Sequence, residues 1–135
     1  MHILADENIA QATECFSPYG RLSLMPGREI TAQVMADVDV LLVRSVTRIN
    51  AQLLDNSPCR YVATATSGID HIDVEYLASH GIGLGWAKGC NADAVVDYVF
   101  SSLAVLWTTC QFDWTKTTVG IAGCGEIGSR LATRL

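Results

Sequence analysis

Short apolar runs alternate along residues 1–90 with segments in which apolar residues recur every three or four positions. The short runs predict buried strands and the other segments predict helices, an alternation typical of a parallel sheet covered by helices. This pattern predicts an α/β fold, a flavodoxin-like doubly wound parallel sheet. The predicted strands are residues 3–5, 22–24, 40–43, 61–65 and 82–84.

Capping residues place the helices of this first part of the chain. Asp6 or Asn8 is predicted to cap a first helix that ends at Gly20, and Asn50 is predicted to cap a later one. Side-chain oxygens of Asp and Asn suit this role because they accept hydrogen bonds from the free N–H groups at a helix start. The remaining predicted helices cover residues 30–36 and 73–79.

The pattern changes at Asn91, where a single long amphipathic helix is predicted. A last strand is predicted over residues 118–122, and a helix follows it. The chain is therefore divided into a first domain at residues 1–90, a connecting helix at 91–111, and the start of a second domain at 112–135.

Polar side chains follow two of the predicted strands directly. Arg44 and Ser45 come after strand 40–43, and Thr66, Ser67 and Gly68 come after strand 61–65. In open parallel sheets ligands bind outside the carboxyl ends of the strands, so these loops are candidate binding loops. The alternative is that the hydroxyls only cap loops and that Arg44 pairs with a carboxylate.

A Gly-x-Gly-x-x-Gly sequence at residues 123–128 lies between a predicted strand and a predicted helix, the setting that dinucleotide binding requires. Gly123 suits the tight turn, Gly125 the close approach of a pyrophosphate, and Gly128 the packing of helix on strand. The backbone N–H groups of Glu126 and Ile127 are then expected to face the phosphates. The alternative is a turn that merely needs flexible residues.

Composition narrows the classes of function. Half of the residues are hydrophobic and the formal net charge is −5, which indicates a folded protein and makes nucleic acid an unexpected partner. No apolar stretch is as long as a membrane span, so we expect a cytoplasmic protein with no membrane partner. Five scattered cysteines predict reduced, mostly buried thiols and no metal site.

Five segments form a specific combined pattern: ILADEN at 3–8, VRSVT at 43–47, ATATSGIDH at 63–71, GCNA at 89–92 and GIAGCG at 120–125. In this order along the chain, they resemble the D-2-hydroxyacid dehydrogenase family. Two residues depart from the family pattern: Lys88 stands where proline is expected, and Glu126 stands where a smaller polar residue is usual. An acidic side chain beside a pyrophosphate would weaken binding unless it pointed to solvent.

The resemblance implies an NAD-dependent oxidoreductase acting on a phosphorylated hydroxy acid. Residues 1–90 would form the substrate domain, 91–111 the interdomain helix, and 112–135 the truncated start of a Rossmann NAD-binding domain. Ser45 and Thr66 correspond to the family's substrate-contacting positions. The family's catalytic Arg, Glu and His lie beyond Leu135, which leaves no catalytic residue in this chain.

Three further expectations follow from the resemblance. His71 is not the catalytic histidine, the chain alone is expected to be inactive, and the full-length protein is expected to be a homodimer. Two alternatives stay open. One is another D-2-hydroxyacid dehydrogenase, of the phosphoglycerate or glycerate type, and the other is a non-catalytic nucleotide-binding module.

Overall fold

The computed structural model describes residues 1–110, 113 and 116–135. It divides the chain into two compact units, Met1–Ala87 and Lys88–Leu135. The first unit contains all five strands of the structure's sheet. These are β1 (His2–Asp6), β2 (Arg21–Met25), β3 (Val40–Val43), β4 (Tyr61–Thr64) and β5 (Gly83–Trp86).

The five strands are parallel and lie in the order β2-β1-β3-β4-β5. This is the strand order of flavodoxin-like sheets, so the predicted fold class is confirmed. The register sets Val43 opposite Thr64 at the carboxyl ends of β3 and β4. Loops that leave these two strands therefore start side by side at one edge of the sheet.

Apolar side chains cover both faces of the sheet. Leu41 and Val43 of β3 belong to one buried cluster with Val62 of β4, while Leu42 belongs to a second cluster with Ile3. Alternate residues of a strand point to opposite faces, so β3 is buried on both. This explains why its sequence is a continuous apolar run rather than an alternating one.

Short helices connect the strands of the first unit. They are α1 (Ala12–Phe16), α2 (Ala51–Leu54), α3 (Val74–Ser79), and 3₁₀ helices at Ser17–Tyr19, Gly27–Glu29 and Ala32–Asp37. The cap at Asn50 is confirmed, because its side chain accepts a hydrogen bond from the Leu53 N–H at 3.1 Å. The α-helix predicted at 30–36 is instead a 3₁₀ helix, the form that short connections commonly take.

The predicted start of the first helix is wrong. Helix α1 begins after Gln11, whose backbone is left-handed with φ of 57° and whose side chain provides no cap. Asp6 is the buried last residue of β1, and its Oδ1 accepts a hydrogen bond from the Asn8 N–H at 2.9 Å. This local turn uses both candidate capping residues before the helix begins.

The second unit contains α4 (Ala92–Cys110) and α5 (Glu126–Arg134), which pack against each other. The strand predicted at residues 118–122 is wrong: these residues are described and form no strand. A strand needs a hydrogen-bonded neighbour, and the described part of this unit offers none. The boundary predicted at 111–112 lies outside the described residues.

Two other findings concern the whole described chain. Within residues 1–110, 113 and 116–135, no helix combines the length and the apolar character needed to cross a membrane. The thiols are free, but the prediction that most are buried is wrong, since only Cys59 among the five is buried. Burial raises the pKa of the Cys59 thiol.

Candidate functional site

The loops after β3 and β4 form one cleft of about 420 Å³. Ser45 lies two residues beyond Val43 and Thr66 two residues beyond Thr64, and Val43 and Thr64 are paired in the sheet. Both loops therefore leave the sheet at the same level, and their hydroxyls face a common space. The cleft is lined by Ser45, Thr66, Gly68, Asp70 and His71.

A chain of hydrogen bonds fixes the hydroxyl of Thr66. The Thr66 hydroxyl donates to the carbonyl oxygen of Gly68 at 3.0 Å, and it lies 2.7 Å from the Thr64 hydroxyl. The Thr64 hydroxyl lies 3.2 Å from His71 Nε2. Each hydroxyl has one proton to donate.

The number of protons available sets the direction of donation along this chain of hydrogen bonds. Thr66 uses its proton on Gly68, so Thr64 must donate to Thr66, and His71 must donate to Thr64 through its Nε2–H. The order His71, Thr64, Thr66, Gly68 leaves one lone pair of the Thr66 oxygen open. Thr66 can therefore accept a hydrogen bond from a hydroxyl in the cleft without breaking the chain.

His71, which is not expected to be the catalytic histidine, is the first donor of this hydrogen-bond chain. Partial burial lowers its pKa, and the neighbouring Asp70 carboxylate offsets only part of that effect. The imidazole is accordingly neutral at neutral pH, with its Nε2 proton committed to Thr64. This contact positions the loop that carries Thr66.

The other two predicted substrate residues lie differently. Ser67 is half-buried between Thr66 and Gly68. Arg44 is half-buried and lines a second cavity, of about 350 Å³, at the ends of β1 and β3. The carboxylate partner considered for Arg44 is not found among the described residues.

Asp6 and Arg28 also line this second cavity, and the sequence analysis did not predict either as a site residue. Asp6 Oδ2 is fully buried and has no hydrogen-bond partner among the residues that the structure describes. In the sequence, Asp6 stands at the end of a predicted apolar strand, a position that also suits a helix cap. With Glu29, which also lines it, the cavity adds two arginines and two carboxylates to the same edge of the sheet as the cleft.

Two glycines of the turn in the second unit have the backbone features that the sequence predicts, although the strand predicted before the turn is not formed. Gly123 has φ of 99°, a conformation that side chains disfavour. A Cβ at Gly128 would overlap the carbonyl oxygen of Gly123. Apart from its two chain neighbours, no described residue lies within 4 Å of the place where a Cβ at Gly125 would stand.

Helix α5 begins directly after Gly125, which serves as its N-cap. The first N–H groups of a helix, here those of Glu126 and Ile127, have no partner within the helix. Open space and free N–H groups at the start of a nine-residue helix fit a pyrophosphate.

The fold, the cleft after β3 and β4, and the glycine-rich turn define a class of protein. It is a flavodoxin-like α/β domain followed by a glycine-rich turn of the dinucleotide-binding type. The family described as D-isomer specific 2-hydroxyacid dehydrogenase, catalytic domain, matches residues 8–119. The chain belongs to this family.

Curated relatives match the whole chain. The erythronate-4-phosphate dehydrogenases of Chromohalobacter salexigens and Salmonella arizonae are 50% and 49% identical to it over all 135 residues. The match covers 35% and 36% of those proteins. The chain therefore spans about a third of the length of the curated relatives it matches.

Solved structures share the fold at low sequence identity. D-lactate dehydrogenase from Aquifex aeolicus, complexed with NAD and lactic acid, aligns with a TM-score of 0.70 at 16% identity, over 99% of this chain and 47% of that one. NAD-dependent formate dehydrogenase from Staphylococcus aureus, in complex with NAD, aligns with a TM-score of 0.71 at 18% identity, over 99% and 53%.

Proposed function

We propose that this chain is part of a complete dehydrogenase that oxidises the C2 hydroxyl of 4-phospho-D-erythronate to 2-oxo-3-hydroxy-4-phosphobutanoate, a step of vitamin B6 biosynthesis. The C2 hydride would be transferred to bound NAD, the oxidant of the reaction, and the hydroxyl proton would pass to a base outside this chain. The carrying observation is about 50% identity to erythronate-4-phosphate dehydrogenases along the entire chain.

In this proposal residues 1–90 form the substrate domain, 91–111 the interdomain helix and 112–135 the start of the coenzyme domain. The complete enzyme is a cytoplasmic homodimer whose partners are small molecules rather than nucleic acid or membranes. Light scattering on the purified complete protein tests the dimer, since a monomeric mass would contradict it.

The substrate contacts come from the cleft between the loops after β3 and β4. The exposed Ser45 hydroxyl can donate to a carboxylate or phosphate oxygen, and Thr66 can accept from a substrate hydroxyl. Gly68 and Ser67 shape the loop around Thr66. Arg44 adds positive charge at the same edge of the sheet, which suits an anionic substrate.

NAD would bind at the turn formed by Gly123, Gly125 and Gly128, with the N–H groups of Glu126 and Ile127 toward its pyrophosphate. The residues fit this group because the start of α5 is open beside Gly125. When bound, the coenzyme supplies the hydride acceptor. This chain's residues hold it in place.

The substrate is tested with the complete protein, by following NADH formation with 4-phosphoerythronate, 3-phosphoglycerate and glycerate. We expect the highest kcat/KM for 4-phosphoerythronate. Ser45→Ala and Thr66→Ala each remove a hydrogen bond to the substrate and should lower kcat/KM by about tenfold to a hundredfold, or roughly 1.5–3 kcal/mol. The Kd for NAD should stay within about twofold.

Three outcomes would contradict parts of this assignment. Preference for phosphoglycerate or glycerate would move the enzyme to another branch of the family. NAD binding with no turnover of any hydroxy acid would favour the nucleotide-binding module. Unchanged kinetics in both alanine variants would return Ser45 and Thr66 to a loop-capping role.

The coenzyme site is tested with two glycine variants that differ only in position. Gly125→Ala places a methyl group in the open space where the pyrophosphate would lie, so the protein should fold normally and lose most of its NAD affinity. Gly120→Ala also enters open space but lies outside the turn, and it is the matched control. Equal NAD affinity in the two variants would contradict the proposed site.

A further inference from the structure

The first residue of α5 brings a carboxylate to the end of the helix where the pyrophosphate is proposed to bind. Glu126 follows Gly125 directly. The positive end of a helix attracts both a carboxylate and a phosphate, and the two anions repel each other there. The direction in which the Glu126 carboxylate points therefore affects dinucleotide binding.

Two cations within the second unit hold this carboxylate. Glu126 Oε1 lies 3.5 Å from Lys88 Nζ, and Glu126 Oε2 lies 3.6 Å from Arg130 Nη2. Arg130 is about one helical turn further along α5, roughly 5–6 Å up the axis. The Glu126 carboxylate is therefore held by Lys88 at one oxygen and by Arg130 at the other.

Gly89 makes room for this arrangement. Its φ is 69°, and a Cβ at this position would lie 3.0 Å from Glu126 Oε2. Because Gly89 has no side chain, the Glu126 carboxylate can lie against the backbone just before α4.

Lys88 contributes charge that Arg130 cannot supply alone. Arg130 Nη1 also pairs with Asp93 Oδ1 of α4 at 2.9 Å, so the guanidinium divides its charge between two carboxylates. The Lys88 ammonium is paired with Glu126. It is therefore the cation that brings the net charge around Glu126 close to neutral.

We propose that Lys88 is a positioning residue for the dinucleotide: it draws the Glu126 carboxylate away from the phosphate-facing end of α5 and offsets its negative charge. This inference rests on the proposed function. Without Lys88, the carboxylate would keep only the shared Arg130 and would repel the bound pyrophosphate.

The test is a mutant cycle on NAD affinity, measured by calorimetry with the complete protein. Lys88→Gln should raise the Kd for NAD by about fivefold, which corresponds to about 1 kcal/mol, the upper range for an exposed ion pair. Lys88→Arg should restore most of the affinity, because it keeps the charge. In a Glu126→Gln background, Lys88→Gln should change the Kd by less than about twofold.

Lys116→Gln is the matched control. Lys116 is also exposed and paired with a carboxylate, Asp113, at 3.0 Å, so its loss changes the net charge equally. The Kd of the Lys116→Gln variant for NAD should match that of the wild-type protein. Raising the salt concentration should narrow the gap between Lys88→Gln and the wild type, because salt screens exposed charges.

The outcomes of this mutant cycle distinguish failure of the inference about Lys88 from failure of the proposed function. If the wild-type protein binds no dinucleotide, the proposed function fails and the inference fails with it. If the wild type binds NAD but Lys88→Gln behaves like Lys116→Gln, only the inference is overturned. A fivefold loss that persists in the Glu126→Gln background also overturns it, since Lys88 would then act without Glu126.

Discussion

Thr64→Val removes one hydroxyl from the centre of the hydrogen-bond chain and keeps the shape of the side chain. Thr64 is only 4% exposed and lies at the end of β4. Valine has nearly the same volume and suits a strand, so packing and backbone should be preserved. The change isolates the two hydrogen bonds that the Thr64 hydroxyl makes.

The magnitude follows from those bonds. One joins Thr64 to Thr66 at 2.7 Å and the other joins it to His71 at 3.2 Å. A typical bond contributes about 1 kcal/mol. The second bond is longer and the half-buried His71 can turn to water, so the loss should be roughly 1–2 kcal/mol in the free energy of unfolding.

The assay is urea unfolding of the complete protein, together with substrate kinetics. Thr47→Val is the matched control, because Thr47 is 3% exposed and donates one hydrogen bond, at 2.8 Å, to the Gly27 carbonyl. Thr47→Val should lower the free energy of unfolding by about 1 kcal/mol without a change in KM. Thr64→Val should in addition raise the KM for the hydroxy acid, because Thr66 loses the donor that orients it.

Thr64→Ser keeps the hydroxyl and should restore the KM. If Thr64→Val matched the wild type in both stability and KM, the hydrogen-bond chain would not position Thr66. If Thr64→Val lost stability but kept the wild-type KM, the hydrogen-bond chain would stabilise only the fold.

Three further predictions concern stability. The pKa of His71 is lowered in the folded state, so the unfolded state binds more protons and the free energy of unfolding falls as pH drops below about 6.5. His71→Gln should flatten this pH dependence in urea titrations at about pH 7.5 and about pH 5.5. Asn50→Ala should lower the free energy of unfolding by about 1 kcal/mol, while Asn50→Asp keeps the cap; equal losses would contradict the capping role. Leu41→Ala should cost roughly 2–5 kcal/mol by cavity formation, whereas Leu24→Ala, at a half-exposed edge position, should cost far less in the same titrations.

The sheet could be predicted from the sequence because the signal is local and strong. The run at 40–43 is apolar throughout, and burial on both faces is the condition that permits it. The cleft followed from the same argument, since two strand ends that share a register also share an edge. Ser45, Thr66 and Gly68 meet there as expected.

Other features depend on contacts that no local pattern contains. The link between His71 and Thr64 requires the loop after β4 to fold back on its own strand. The start of α1 shifted because Asp6 was committed to a buried turn at the end of β1. Residues 118–122 have the composition of a strand, but composition does not supply a neighbouring strand.

The direction of the Glu126 side chain was likewise open in the sequence. The family comparison raised the question of whether an acidic group at this position would face the phosphates. The Glu126 carboxylate lies beside Lys88 and Gly89, although both are more than thirty residues earlier in the chain. Only the packing of α4 against α5 brings these segments together.

The unpaired segment at residues 118–122 has a consequence for the behaviour of this polypeptide in solution. Its backbone N–H and C=O groups meet no strand within the described part of the second unit, and Val119 is 45% exposed. An exposed apolar segment of this kind can pair with extended segments of other chains. Aggregation of the second unit on its own should therefore start at this segment, and a charged residue in place of Val119 should delay it.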